Sequence, residues 1–369
     1  MRYLLLIILC LSLILVAGCI IKFTPEIEED NTLLVVEGMI TDQNMTNKIR
    51  ISHALPVGKV ITPVPVKGCR VTITDRHGSI YNLKESSPGI YITDSTRFRG
   101  QVNNRYRLNI VDGGKSYESY TMEMKPVPPI DSIYYEKVLI GEDEFGVPIE
   151  ECQVYLDTKD PFGKCLYYRW DFSETWEFIL PYSVPNYRCW KSAYSDKIII
   201  KNTSVYNQSR VDRFPIHYIS NETERLKVKY SMLVNQYSLN EDEYAYWERV
   251  KSVSENVGGL YDVTPMSITG NVYRLDDPDV PVLGYFSVSA VARERIFIDD
   301  NFIGLPNYYS YCPGDTIRYP GPIPNLNISA WLIVDNSNGQ PPYRVITYFR
   351  ECADCTLRGT NVKPPYWDE

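Results

Sequence analysis

The sequence predicts a mainly β protein: an immunoglobulin- or prealbumin-like β-sandwich first, then a larger β-rich domain with one inserted α-helix. Three observations predict it. Apolar and polar residues alternate over short runs along most of the chain, the period of half-buried strands. Gly-, Asp- and Pro-containing turns separate the runs at the spacing of an antiparallel sandwich. The composition also suits sheets, with 30 tyrosines in 369 residues, because aromatic side chains fit a pleated, half-buried surface. The same tyrosines fit an amphipathic ligand-binding surface, and the two readings are compatible.

The first domain is expected over residues 33–125. Leu33 to Ile40 reads as a strand, and Lys48 to Ser52 as another with Ile49 and Ile51 on one face. Cys69, Val71 and Ile73 alternate with Arg70, Thr72 and Thr74. Asp75-Arg76-His77-Gly78 then turns the chain into Ile80 to Leu83, and Pro88-Gly89 precedes Ile90-Tyr91-Ile92. Tyr106 to Val111 alternates again before a hairpin at Asp112-Gly113-Gly114-Lys115. Residues 126–129, Val-Pro-Pro preceded by Pro126, break the pattern because proline donates no ladder hydrogen bond, and the domain boundary is placed there.

The second domain, 130–369, repeats the pattern. Cys152, Val154 and Leu156 share a face. Leu166, Tyr168, Trp170 and Phe172 share another, backed by Tyr167, Arg169, Asp171 and Ser173. Leu226, Val228, Tyr230, Met232 and Val234 alternate against Lys227, Lys229 and Ser231, and Val282 to Ile298 and Leu332 to Phe349 add strands. A helix is expected near 239–257. Ser238-Leu239-Asn240-Glu241 reads as a capping box, the early acids Glu241, Asp242 and Glu243 suit the helix dipole, and Gly258-Gly259 stops it. Tyr246, Val250, Val253 and Val257 form its core-facing stripe.

Residues 1–18 read as a signal peptide. Arg2 gives the positive start, Leu4 to Val16 is apolar apart from Ser12, and Val16-Ala17-Gly18-Cys19 matches a lipobox. The apolar stretch is too short to span a bilayer comfortably. Cys19 is therefore the expected lipidation site, and the attached acyl chains would hold the protein at a membrane without a spanning helix. Residues 19–32 read as a lipidated, acidic tether. Residue 20 is isoleucine, not the aspartate associated with inner-membrane retention, so the outer membrane is the expected location.

Cleavage would move the formal net charge from −8 to −9, since Arg2 is the charge removed. An acidic chain without basic blocks argues against nucleic acid as a partner. Loss of Cys10 and acylation of Cys19 leave seven cysteines, of which at least one must be free, with Cys69 or Cys152 the expected choice. Cys189, Cys312, Cys352 and Cys355 are the candidates for structural disulfides in an oxidising compartment, with connectivity open.

Catalytic signals are poor, and no enzyme activity or cofactor is expected. His53, His77 and His217 belong to no metal or triad motif, and no Gly-rich loop opens a helix after a strand. Cys352-Ala353-Asp354-Cys355 follows a strand but leads into a loop, unlike a thioredoxin-type motif, and has no second pair for zinc. Asp276-Asp277-Pro278-Asp279 lacks EF-hand spacing and reads as a turn. A glycosidase carboxylate pair leaves no local signature, so an envelope enzyme acting on glycans stays open as an alternative.

Several segments together resemble a family of outer-membrane lipoproteins of Bacteroidota with no assigned activity. They include Leu34-Val35-Val36-Glu37-Gly38-Met39-Ile40-Thr41, Val71-Thr72-Ile73-Thr74-Asp75 and Pro126-Val127-Pro128-Pro129-Ile130-Asp131-Ser132. Tyr167-Tyr168-Arg169-Trp170, Gln236-Tyr237-Ser238-Leu239, Gly270-Asn271-Val272 and Pro281 to Phe286 follow in order. Cys352 to Cys355 and Gly359 to Trp367 complete the series, and Met39 stands where the resemblance would place tryptophan. The acidic tether also resembles the surface-export signals of such lipoproteins. The resemblance transfers no site residue. It implies a genetic setting beside TonB-dependent transporters, hence a non-enzymatic accessory or ligand-binding component of an outer-membrane barrel complex. A structural surface adhesin is the remaining alternative.

Overall fold

Alternation of apolar and polar residues produces strands along most of the chain. A computed structural model describes residues 33–54, 63–205, 209–255, 268–307, 312–318, 331–336, 338 and 342–368. The signal segment, Cys19, the tether and the Val257-Gly258-Gly259 end of the expected helix lie outside the described residues.

The first region builds two six-stranded sheets. One contains β1 (Leu33–Thr41), β2 (Lys48–Ala54), β3 (Val64–Pro65), β6 (Lys84–Ser87) and β7 (Ile90–Ile92). The other contains β4 (Arg70–Asp75), β5 (Ile80–Asn82), β8 (Arg105–Asp112), β9 (Lys115–Ser119) and β10 (Met122–Glu123). The inward sets expected from the alternation share one core, where Ile49, Ile51, Ile73 and Leu108 are fully buried.

Each sheet takes its sixth strand from far along the chain. β18 (Val272–Arg274) pairs antiparallel with β9, and β19 (Leu283–Ser289) runs parallel to β1, from Val35 opposite Leu283 to Thr41 opposite Ser289. This corrects the expectation of a sandwich contained within 33–125. A parallel partner needs a long crossover and can come from any distance, so no local pattern announces it. The linker at 126–129 is irregular as expected, yet firmly held. Gln236 Nε2 donates to Pro128 O at 2.8 Å, Thr158 Oγ1 to Pro129 O at 3.0 Å and Ser238 Oγ to Lys125 O at 2.6 Å.

In the second region β11 (Ile130–Glu142), β12 (Pro148–Asp160) and β16 (Ser209–Ile219) form a three-stranded sheet. A five-stranded sheet holds β13 (Tyr167–Ile179), β14 (Arg188–Tyr194), β15 (Ile199–Asn202), β17 (Tyr230–Ser238) and β20 (Val291–Ile298), with β14, β13, β17 and β20 side by side. Its inner face supplies Trp170, Phe172, Trp176, Tyr230, Met232 and Val234 to a second core, shared with Cys152, Val154 and Leu156 of β12. Trp170 is fully buried, and its indole donates to Gln236 Oε1 at 2.9 Å. Leu226 begins the expected β17 alternation but sits in a 3-10 turn, and the strand starts at Tyr230. β19 and β20 are joined through Ala290 alone, which is buried.

The helix α1 (Glu241–Glu255) forms where expected, with Tyr246 and Val250 packed on the first core. Its start differs. Ser238 belongs to β17 and spends its hydroxyl on Lys125 O, so the capping box does not form, and Asn240 O accepts the first helical bond from Tyr244 N. Glu241, Asp242 and Glu243 occupy the first turn as expected, and Glu243 is in addition fully buried.

A last sheet, β21 (Asp315–Arg318), β23 (Tyr343–Thr347) and β22 (Trp331–Asn336), is tied down covalently. Cys189 of β14 bonds Cys355, and Cys312 bonds Cys352. The two cysteines of the Cys-x-x-Cys segment thus pair outward, not with each other. Among the described residues three cysteines are free, Cys69, Cys152 and Cys165; both expected candidates are thus free, Cys165 joins them, and Cys69 is only half-buried.

Two outcomes test this architecture. Gly284 has φ +81, and a Cβ there would meet the Val36 carbonyl across the β1–β19 ladder, whereas one on Gly113 (φ +51) would meet nothing. Gly284→Ala is expected to cost more than about 2 kcal/mol and Gly113→Ala about 1 kcal/mol, measured by urea unfolding. Removal of the Cys312–Cys352 bond in a C312S/C352S double variant is expected to cost about 2–4 kcal/mol in the same measurement.

Candidate functional site

Side chains alternate along β13, so the residues that back its core face point together to the other side. The register aligns them across strands. One row reads Tyr194, Ser173, Leu233 and Arg295, and the next reads Asp171, Asn235 and Arg293. These two rows form a polar strip on the outer face of the five-stranded sheet. Ser173, Leu233, Asp171, Asn235 and Arg295 are half-buried, and Tyr194 and Arg293 are exposed.

Each end of the strip is closed by an aromatic–arginine stack. At one end the carboxyl-terminal tail lies on the sheet. Trp367 is buried, donating Nε1 to Glu177 Oε2 at 3.0 Å and accepting Lys229 Nζ on its carbonyl at 2.8 Å. Tyr366 Oη lies 3.0 Å from Thr175 Oγ1, and the Arg295 guanidinium stacks 3.7 Å over the Tyr366 ring while donating to Ser231 Oγ at 2.8 Å. At the other end α1 packs on the sheet, and Arg169 lies 4.2 Å over Trp247 and 5.7 Å over Tyr237. Stacking on rings fixes guanidinium planes that would otherwise sample many rotamers.

The charge on the strip is unbalanced. Asp171 Oδ1 accepts Asn235 Nδ2 at 2.7 Å and the Tyr237 hydroxyl at 3.2 Å, and its Oδ2 stands 3.9 Å from Arg169. Arg293 donates to the Met45 sulfur at 3.4 Å, and neither it nor Arg295 has a carboxylate within 4 Å among the described residues. Two uncompensated arginines on a chain of net charge −8 make this face a local attractor for anions.

Glu243 supports the α1 end. Its Oε1 accepts the Ser287 hydroxyl at 2.6 Å and Trp247 Nε1 at 3.4 Å, while its buried Oε2 has no partner. Burial pushes this carboxyl up to about 7, with the Ser287 hydrogen bond and the Arg169 charge only partly opposing. Glu174, on the inner face, shows the opposite balance. Burial would raise it, but His217, Arg225 and Tyr230 more than reverse that and hold it at about 2. Arg225 Nη2 and Tyr230 Oη both lie 2.8 Å away and carry the pairing, since His217 Nε2 at 3.5 Å is a long contact.

The other buried carboxylates of the second region are similarly engaged. Glu177 pairs with Arg188 at 2.9 Å, and Glu151 accepts Tyr218, Ser220 and the Asn221 amide. Asp160 closes a turn by accepting the amides of Phe162, Lys164 and Cys165. Glu174 and Glu177 fall on opposite faces of β13. Among the described residues no cluster of three His, Cys, Asp or Glu could hold a metal. Asp276 lies in a turn, paired to Arg274 at 2.5 Å.

The four disulfide candidates meet below the sheet, and the three histidines stay apart, on β2, in the β4–β5 turn and on β16. The sequence had placed Arg169, Asp171 and Ser173 on one face. It gave no sign that Arg293 and Arg295 would align with them, because that depends on the β17–β20 register.

Glu243 also sets a pH dependence. Its folded value lies above the ordinary glutamate value of 4.5, so its favourable contribution is full below about 4.5 and is lost as pH rises toward about 7. The expected loss from this group is about 3 kcal/mol, levelling off above pH 8, and Glu243→Gln is expected to flatten it; thermal unfolding between pH 5 and pH 8.5 reads the difference.

No curated protein matches the chain. A family model described as Domain of unknown function (DUF4249) matches residues 20–295, from beside Cys19 to the β20 arginines. That match spans both sandwich sheets and the polar strip, and it ends before the disulfide-bound β21–β23 sheet. The chain belongs to this family of domains of unknown function.

Proposed function

We propose that this protein is an outer-membrane lipoprotein, anchored through Cys19, that binds a ligand on the polar strip as a non-enzymatic accessory of a TonB-dependent transporter or related envelope complex. The observation that carries the binding role is the strip itself: Arg293 and Arg295 without a carboxylate partner among the described residues, Asp171, and exposed Tyr194 gathered on one sheet face. A binding face asks for fixed, partly unsatisfied polar groups beside an aromatic surface, and no shifted nucleophile or acid–base pair. The lipobox supports the anchor, and among the described residues no helix is long and apolar enough to cross a membrane. The association with a transporter rests on the family resemblance.

Two measurements test the proposal. Cys19→Ser is expected to abolish incorporation of a labelled palmitate analogue and release the protein from the membrane fraction. Mild detergent extraction of the wild type is expected to co-purify a TonB-dependent barrel. Recovery as an isolated monomer would defeat the accessory role.

A further inference from the structure

The strip combines features that together select a ligand chemistry. Arg293 and Arg295 are two residues apart on β20 and project from the same face, with their Cα atoms roughly 7 Å apart along the strand. Neither has a protein carboxylate within 4 Å among the described residues, and a guanidinium matches a carboxylate with two parallel hydrogen bonds. Beside them lies Asp171, whose Oδ2 has, among the described residues, the long Arg169 contact at 3.9 Å and so remains open to hydroxyl donors. A fixed negative charge within the strip penalises densely charged anions such as phosphate clusters or runs of acidic peptide. It favours molecules in which carboxylates alternate with hydroxyls. Tyr194, 82% exposed and directly opposite Ser173, adds a flat ring of the kind on which a sugar lies. The strip is also a sheet face and not an edge, so it offers side chains but no free backbone ladder for a peptide strand.

We propose that this strip binds an acidic glycan, with uronate carboxylates on Arg293 and Arg295, sugar hydroxyls on Asp171, Asn235 and Ser173, and one sugar ring against Tyr194. This rests on reading the strip as the ligand face. The tail stack of Arg295 on Tyr366 and the α1 stack of Arg169 on Trp247 bound the site at its two ends, so a short oligosaccharide laid across the strands fits better than a long chain along them.

The test is isothermal titration of the full lipidated chain in detergent with oligomers of galacturonate, mannuronate and glucuronate-containing hyaluronan, each beside its carboxyl-reduced neutral counterpart. An acidic oligomer is expected to bind at least ten-fold more tightly than its neutral counterpart, with an affinity that falls as salt is raised. Arg293→Glu, at an exposed position, is expected to lose at least ten-fold, and Tyr194→Ala to weaken acidic and neutral sugars alike. Arg295→Ala is read only alongside unchanged thermal unfolding, since it also removes the Tyr366 stack. Failure of every acidic oligomer to bind would overturn the inference, as would equal binding of a poly-glutamate peptide or inositol hexakisphosphate. Equal binding of neutral sugars that Tyr194→Ala still abolishes would overturn the acidic class and keep the strip as ligand face. Binding indifferent to all three substitutions would remove both.

Discussion

One extended segment, residues 283–298, belongs to two sheets at once. Its first half is the parallel partner of β1, and its second half is the β20 neighbour of β17, with Ala290 between them. Little slack exists in that junction. Asn271 replaces a missing strand beside β19, its amide donating to Phe286 O at 2.8 Å and its carbonyl accepting Phe286 N at 2.9 Å. Gly284 adopts a left-handed turn against Val36. A one-residue slip would turn Arg293 and Arg295 from the outer face into the second core, because strand side chains alternate. The first sandwich therefore sets the position of charges that lie on the second region's surface.

The two faces of the five-stranded sheet follow different rules because water reaches one of them. On the inner face Glu174 is tolerated only with its arginine and tyrosine partners, and Trp170 only with Gln236. An orphaned polar group there costs about 1–3 kcal/mol, more if charged. On the outer face Arg293 has no carboxylate partner among the described residues, at little cost because solvent compensates it. Glu243 falls between these regimes, buried yet half-satisfied, and it is the kind of group whose protonation offsets the missing partner. Tyrosine is divided in the same way: Tyr168 and Tyr230 fill the core, whereas Tyr194 faces solvent.

Local order was largely legible in the sequence. Alternation located Ile49, Ile51, Val154 and Trp170 inside, and Asp75-Arg76-His77-Gly78 and Asp112-Gly113-Gly114-Lys115 announced their turns because those residues tolerate tight backbone geometry. Long-range order was not. The apolar code of β19 is compatible with any partner, so nothing in Leu283 to Ser289 specifies β1. Disulfide candidates were readable as a set of four, but pairing depends on which loops meet at Cys189 and Cys312. Ser238 was misassigned because a capping pattern describes a helix in isolation, and here the preceding strand claimed that side chain. The strip was half visible, since one strand's outer face could be read while its alignment with β20 could not.

Dependence of β1 on β19 also has a consequence in time. Polypeptides emerge from their amino end at about 5–20 residues per second, so β1 and its neighbours exist for on the order of ten seconds before their closing strand is made. Throughout that interval β1 presents an unpaired ladder to whatever strand is nearest, the situation that seeds edge-to-edge aggregation. A sheet closed this way leaves that edge of β1 open for longer than one closed by its sequence neighbours.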